Sequence, residues 1–231
     1  MPTEGTDTIT QQLDPSTWLV LATGLAAFVG VAVDRLWRWS RSVVTIVHEA
    51  GHAVTAVLTG RRLTGIRLHS DTSGVTLSVG RPTGPGMVLT TAAGYVSPSL
   101  VGLAGVALLA AEQVTVMLWA TTAVLVAMLA MIRNAYGALS LIVTGGVVVG
   151  VSLYAPPEAQ GAFGYTATWF MLFGGVRPVY ELGRQRRRDP RRGSDADQLA
   201  RLTRVPAVVW LASFAVVAVG ALAVGARLLL V

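Results

Sequence analysis

The sequence predicts an all-α polytopic membrane protein of about six or seven transmembrane helices, with one small β-hairpin just after a helix that carries His-Glu-Ala-Gly-His. Three observations predict it. Of 231 residues, 53% are hydrophobic and 13% charged, with a mean hydropathy of +0.60. Apolar runs of membrane-spanning length recur from Thr17 to the end of the chain. One stretch, residues 62–81, alternates apolar and polar side chains instead.

Residues 1–15 are polar, with Glu4, Asp7 and Asp14 and no basic residue, and read as a short N-terminal tail without a signal-peptide basic region. Thr17 to Val33 is long enough for a first span. Asp34, Arg35, Trp37, Arg38, Trp39 and Arg41 follow as an interfacial belt. The motif helix is expected from Val43 to Gly60. In the hairpin, Ile66 and Leu68, then Val75, Leu77 and Val79, alternate with polar residues around a turn at Ser70 to Gly74. A long apolar run from Met87 to Ala111 contains Gly94-Tyr95-Val96-Ser97-Pro98-Ser99, where Pro98 removes a hydrogen bond and predicts a kink. Further spans are expected near Val114 to Ile132, Tyr136 to Leu153, Gly161 to Val176 and Pro206 to Val231.

Residues 177–204 form a basic stretch with nine Arg against four acids. Set between apolar helices, it reads as a cytoplasmic loop and not as a nucleic-acid surface. Counting spans back from that side puts the three Arg near Trp37 and Trp39 outside, against the usual charge bias. Either the motif helix does not fully cross, or those Arg anchor at the outer interface.

The motif carries the chemistry. His48 and His52 lie four apart, so on a helix both imidazoles share a face, with Glu49 beside them. Two imidazoles can hold a metal that lowers the pKa of bound water, and a carboxylate can take the water's proton. From three His and five Glu in 231 residues, chance would produce His-Glu-x-x-His about once in a thousand such chains. The surrounding helix is apolar nearly all round, and ionisable residues there cost several kcal/mol unless they serve a function. The chain has no cysteine, so any metal must use His and carboxylates. All 18 basic residues are Arg, which excludes lysine chemistry such as a Schiff base.

Other polar residues have competing readings. His69 is a possible third ligand or a turn-flanking surface residue. Asn134, the only Asn, could hydrogen-bond a substrate backbone or cap a helix at the interface. Ser194 followed by Asp197 fits a capping box, which gives Asp197 a structural role.

The runs HEAGHAV, GRRLTGIRL and SDTSGVT resemble a compact bacterial branch of the site-2-protease-like membrane zinc metallopeptidases. AGYVSPSL, Arg133-Asn134, Gly174-Gly175-Val176-Arg177 and SDADQLARLT are similar to the same branch, so the resemblance covers the chain from Val43 onward. It implies a single integral-membrane metallopeptidase-like domain over residues 16–231 in a bacterial cytoplasmic membrane. It also implies zinc (Zn2+), His48 and His52 as ligands and Glu49 as the general base. Asp-Gly, the usual source of the third ligand, is absent, as is Asn-Pro. The Ser-Asp-Ala element resembles the compact branch and implies Asp195 as that ligand, with Asp197 second.

The resulting expectation is an intramembrane zinc-dependent endopeptidase acting on membrane-embedded, single-span protein substrates. The alternatives are a non-catalytic membrane protein that retains a metal site, or a metal transporter. A transporter accords poorly with so few intramembrane carboxylates and has no need of a base between two ligands.

Overall fold

A computed structural model describes residues 15–189 and 193–230; the expected N-terminal tail lies almost wholly outside them. The described residues form eight helices and one two-stranded sheet, in the order α1 (Pro15–Ala32), α2 (Asp34–Leu58), β1 (Arg62–Leu68), β2 (Gly74–Val79), α3 (Pro85–Ala110), α4 (Val114–Met131), α5 (Ala135–Tyr154), α6 (Pro157–Arg188), α7 (Asp195–Thr203) and α8 (Ala207–Leu230).

The expected belt at Asp34 to Arg41 is the first two turns of the motif helix. α2 is buried on two sides: Trp37 and Val44 pack with Val31 of α1 and Met171 of α6, and Ile46 and Ala53 pack on the other side against the hairpin, α4 and α5. α1 and α2 meet at a bend of 99°, so together they count as one broken or re-entrant segment. This corresponds to the reading in which the motif helix does not cross as an independent span. Four helices are long and apolar enough to cross a membrane, namely α3, α4, α5 and α8. The count from length and composition is therefore four, or five with the bent pair, short of the expected six or seven. α6 is not among them. Glycines and threonines dilute its apolar stretch, and its large buried residues, Trp169, Met171 and Leu172, face other helices of the bundle. The chain is a multi-pass membrane protein in which α4 and α5 turn side chains such as Val126, Leu139 and Ile142 outward.

α3 is helical throughout, Pro98 included, so the expected interruption does not end it. Small residues there allow close packing: a Cβ on Gly102 would lie 2.7 Å from Leu172 of α6. The expected loop over 177–204 is mostly helical, because α6 continues to Arg188 and α7 begins at Asp195. Arginine is a good helix former, and Arg186, Arg187 and Arg188 in the last turn complement the helix dipole.

β1 and β2 pair antiparallel with an irregularity between Leu63 and Gly65. Ile66 and Leu68 of β1 enter a core shared with Ile46 of α2, Leu118 and Leu125 of α4, and Leu141 of α5. The join between α4 and α5 lies along the outer edge of β1. Ile132 bridges Ile66 in parallel, and the Arg133 N–H donates to the Ile66 carbonyl at 2.9 Å. Asn134 completes this edge: its Oδ1 accepts from Leu68 N–H at 3.2 Å and its Nδ2 donates to the Leu68 carbonyl at 2.6 Å. Asn134 stands at the N-cap position of α5 without a side-chain capping bond, and its amide hydrogen-bonds β1.

Replacing Asn134 by Ala removes two hydrogen bonds worth roughly 0.5–1.5 kcal/mol each. Hydrogen–deuterium exchange should then accelerate about tenfold or more in residues 62–79 while α3 and α8 stay unchanged; equal protection in both proteins would show that the latch does not hold the hairpin.

Candidate metal centre

α2 presents His48 and His52 from successive turns, with ring centroids 4.7 Å apart and their Nε2 atoms 3.0 Å apart. α7 delivers Asp195, whose Oδ2 lies 3.2 Å from His48 Nε2 and 3.4 Å from His52 Nε2. Among the described residues these three form the one group of His and acidic side chains arranged to hold a metal ion. The triangle suits zinc: a tetrahedral ion with ligands at about 2.0–2.1 Å has ligand–ligand edges of about 3.3 Å, and three protein donors leave a fourth position open. The donor set, two imidazoles and a carboxylate, is also one that zinc accepts.

Neighbouring groups orient each donor. His52 Nδ1 lies 2.7 Å from the Thr90 carbonyl, which can only accept, so Nδ1 carries a hydrogen and Nε2 is the atom a metal would bind. Tyr95 of α3 packs edge-on against His48 at 4.9 Å and stacks on Phe214 of α8 at 5.0 Å. Gly94 makes room for both rings, since a Cβ there would lie 2.4 Å from His52 Nε2 and 2.5 Å from His48 Nε2.

Asp195 is placed by the start of α7. Ser194 and Asp197 form the expected capping box, with Asp197 Oδ2 accepting from Ser194 N–H at 3.0 Å and Ser194 Oγ accepting from Asp197 N–H at 3.4 Å. Arg186 at the end of α6 pairs with the other oxygen of Asp197. Asp197 is thereby committed to the cap, and Asp195, the first residue of the helix, is free to face the imidazoles. Ala196 and Leu199, both fully buried, seat α7 in a cluster with Val179 and Leu182 of α6 and Phe214 of α8. Burial disfavours the charge on Asp195, but hydrogen bonding and attraction from His48 and His52 outweigh it and hold the carboxyl below the usual carboxylate range.

Glu49 is 3% exposed and is held by the hairpin. Thr76 Oγ1 lies 2.6 Å from Glu49 Oε2 and 3.1 Å from the Glu49 carbonyl, close enough to donate to either. A Cβ on Gly74 would lie 2.5 Å from Glu49 Oε1, so β2 can approach the carboxylate this closely only with glycine there. Thr45 Oγ1 donates to the Thr72 carbonyl at 2.8 Å, and Arg61 Nε donates to Ser78 Oγ at 3.1 Å. β2 therefore runs along α2 in the same direction. β1 is covered on its outer edge by the α4–α5 join, whereas β2 has no second strand partner among the described residues. Its free side borders a cleft of about 480 Å³ lined by Arg41, His48, Glu49, His52, Tyr95 and Asp195, among others. His69 is apart from the centre, with Nδ1 3.2 Å from Ser73 Oγ in the exposed turn.

The family model described as Peptidase M50B-like matches residues 21–225. The chain belongs to that peptidase family. No curated protein and no solved structure matches it. The match runs from within α1 through most of α8 and includes the motif helix, the hairpin and Asp195.

Thr76, Thr90, Tyr95 and Gly94 shape the centre although they were not singled out as site residues. Thr76 and Thr90 act through backbone register and a main-chain carbonyl, which composition and spacing do not reveal. Gly94 and Tyr95 fell within a stretch read as a helix kink and as one of the runs that resemble the family.

Gly94→Ala should abolish metal binding while the helices form normally, because the new methyl occupies the space of both Nε2 atoms. Metal content by elemental analysis checks this, with Gly30→Ala, where a Cβ meets nothing within 4 Å, as the control that keeps its metal.

Proposed function

We propose that the protein is an intramembrane zinc-dependent endopeptidase that hydrolyses peptide bonds of membrane-embedded protein substrates. The observation that carries this reading is the triangle of His48 Nε2, His52 Nε2 and Asp195 Oδ2 with the Glu49 carboxylate supplied by the same helix turn. His48, His52 and Asp195 would hold the zinc. When bound, zinc supplies Lewis acidity, polarising the scissile carbonyl and lowering the pKa of water held at the open position.

The remaining chemistry falls to the protein's own groups. Glu49 takes a proton from the attacking water and returns it to the departing amine nitrogen, acting as base and then as acid. Thr76 fixes which Glu49 oxygen stays free for that transfer by occupying the other. Burial of Glu49 among β2 and α2 keeps bulk water from competing for the proton.

A substrate helix must unwind before cleavage, because its carbonyls are bonded within the helix. The free edge of β2 supports this step, since an extended segment pairing there regains backbone hydrogen bonds beside the metal centre. The substrate class is a single-span membrane protein, drawn from the surrounding lipid bilayer. The family and the resemblance in the motif runs support a place in a bacterial cytoplasmic membrane.

Glu49→Gln should retain one zinc per chain and lose cleavage of a single-span reporter by about a thousandfold or more, in line with the loss of a positioned general base and its charge. Cleavage at the wild-type rate would eliminate Glu49 as the base; loss of zinc together with activity would place Glu49 in metal retention instead.

A further inference from the structure

We propose that Arg41 is a specificity-determining residue that receives an acidic substrate side chain on the C-terminal side of the scissile bond. This inference rests on the peptidase reading above and adds a substrate preference to it.

Arg41 lines the same cleft as the metal centre, and among the described residues it is the only arginine that does so. Apart from His48, Glu49, His52 and Asp195, the other side chains lining the cleft are uncharged, Thr45, Ser73, Gln185 and Gln198 among them. Its tether is loose. Among the described residues the one carboxylate paired with it is Glu181, whose Oε2 lies 3.6 Å from Arg41 Nη2, beyond hydrogen-bonding distance. Glu181 is already engaged through its other oxygen, which accepts from Trp37 Nε1 at 2.7 Å and from Arg177 Nε at 3.1 Å. Arg177 also pairs with Asp34 and stacks over the Trp37 ring at 5.2 Å. Arg177 is thus half-buried and bonded through all three of its guanidinium nitrogens, whereas Arg41 is 38% exposed and has no hydrogen-bonded acceptor for its guanidinium among the described residues.

Position along α2 converts this into a register. Arg41 precedes His48 by seven residues on the same face, about 10 Å along the axis at 1.5 Å per residue. An extended peptide covers that distance in about three residues at roughly 3.3 Å each, and the reach of the arginine side chain shortens it to two or three. β2 runs in the direction of α2, from Thr72 beside Thr45 to Ser78 beside Arg61. A strand joining β2 antiparallel, the commoner pairing, runs the opposite way. Past the reacting carbonyl it leads toward Arg41, so the acidic side chain sits two or three residues C-terminal to the cut.

The test uses the full-length zinc-loaded protein in detergent and a panel of single-span reporter polypeptides. They are identical except for Asp, Asn or Lys placed singly at each of the four positions on either side of the cleaved bond. The expected result is a kcat/KM for Asp over Asn raised roughly three- to tenfold at the second or third position C-terminal to the cut, the scale of a partly exposed charge pair. Arg41→Gln should bring that ratio toward one, and Arg41→Glu should turn the preference to Lys. The wild-type ratios decide even where a variant fails to fold. Cleavage with equal rates for Asp and Asn, or an acidic preference confined to the N-terminal side, overturns this inference and leaves the peptidase reading standing. Failure of the wild type to cut any reporter overturns both.

Discussion

The approach of Asp195 to His48 and His52 is the interaction on which the rest of the structure depends. The two imidazoles come from one helix and need only correct spacing, but the carboxylate arrives from a segment more than 140 residues later and must be set within a few tenths of an ångström. The chain achieves this with rigid parts. α6 extends past the apolar bundle on a run of arginines, Arg186 grips Asp197, and Asp197 caps α7. Asp195 is then the first residue of a helix whose buried face is locked against α6 and α8. On the opposite side, Gly94 leaves the space that the two rings fill, and the Thr90 carbonyl sets the His52 tautomer. A buried carboxylate between two imidazoles would be costly without a purpose, and a cation at their centre satisfies all three groups at once.

The hairpin is the second constraint. It carries no metal donor, yet it governs Glu49 through Thr76 and closes one wall of the cleft. An isolated two-stranded hairpin is marginal in water. This one is held from three sides: Ile66 and Leu68 in the core, the strand-like contact with the α4–α5 join through Asn134, and Thr45 and Arg61 on the motif helix. The edge left over is the one beside the metal centre. A free strand edge is ordinarily a hazard that proteins cover, and leaving it open at a reactive centre makes it available to an extended peptide.

Much of this was legible in the residues. His48, Glu49 and His52 were readable because helical spacing converts four residues into one face, and the hairpin because its period changes from 3.6 to two. Asp195 was reached through the Ser-Asp-Ala resemblance together with the capping role of Asp197, and the structure brings Asp195 and not Asp197 to the imidazoles. The span count was less legible. Length and composition mark four or five spans, and α6, expected to cross over Gly161 to Val176, is not among the helices they mark. The 99° break between α1 and α2 leaves no signal beyond the charged residues after Val33. The pairing of Asn134 with Leu68 was not legible, because a contact across 66 residues cannot be inferred from its neighbours.

The most direct test is the zinc content per chain of detergent-purified wild type, Asp195→Ala and Asp197→Ala under metal-replete conditions. The expected values are about one for wild type, near zero for Asp195→Ala, and a retained but weakened site in Asp197→Ala, where only a cap worth about 1 kcal/mol is lost. Zinc retained in Asp195→Ala, or no zinc in wild type, contradicts the assignment of this triangle as the metal centre.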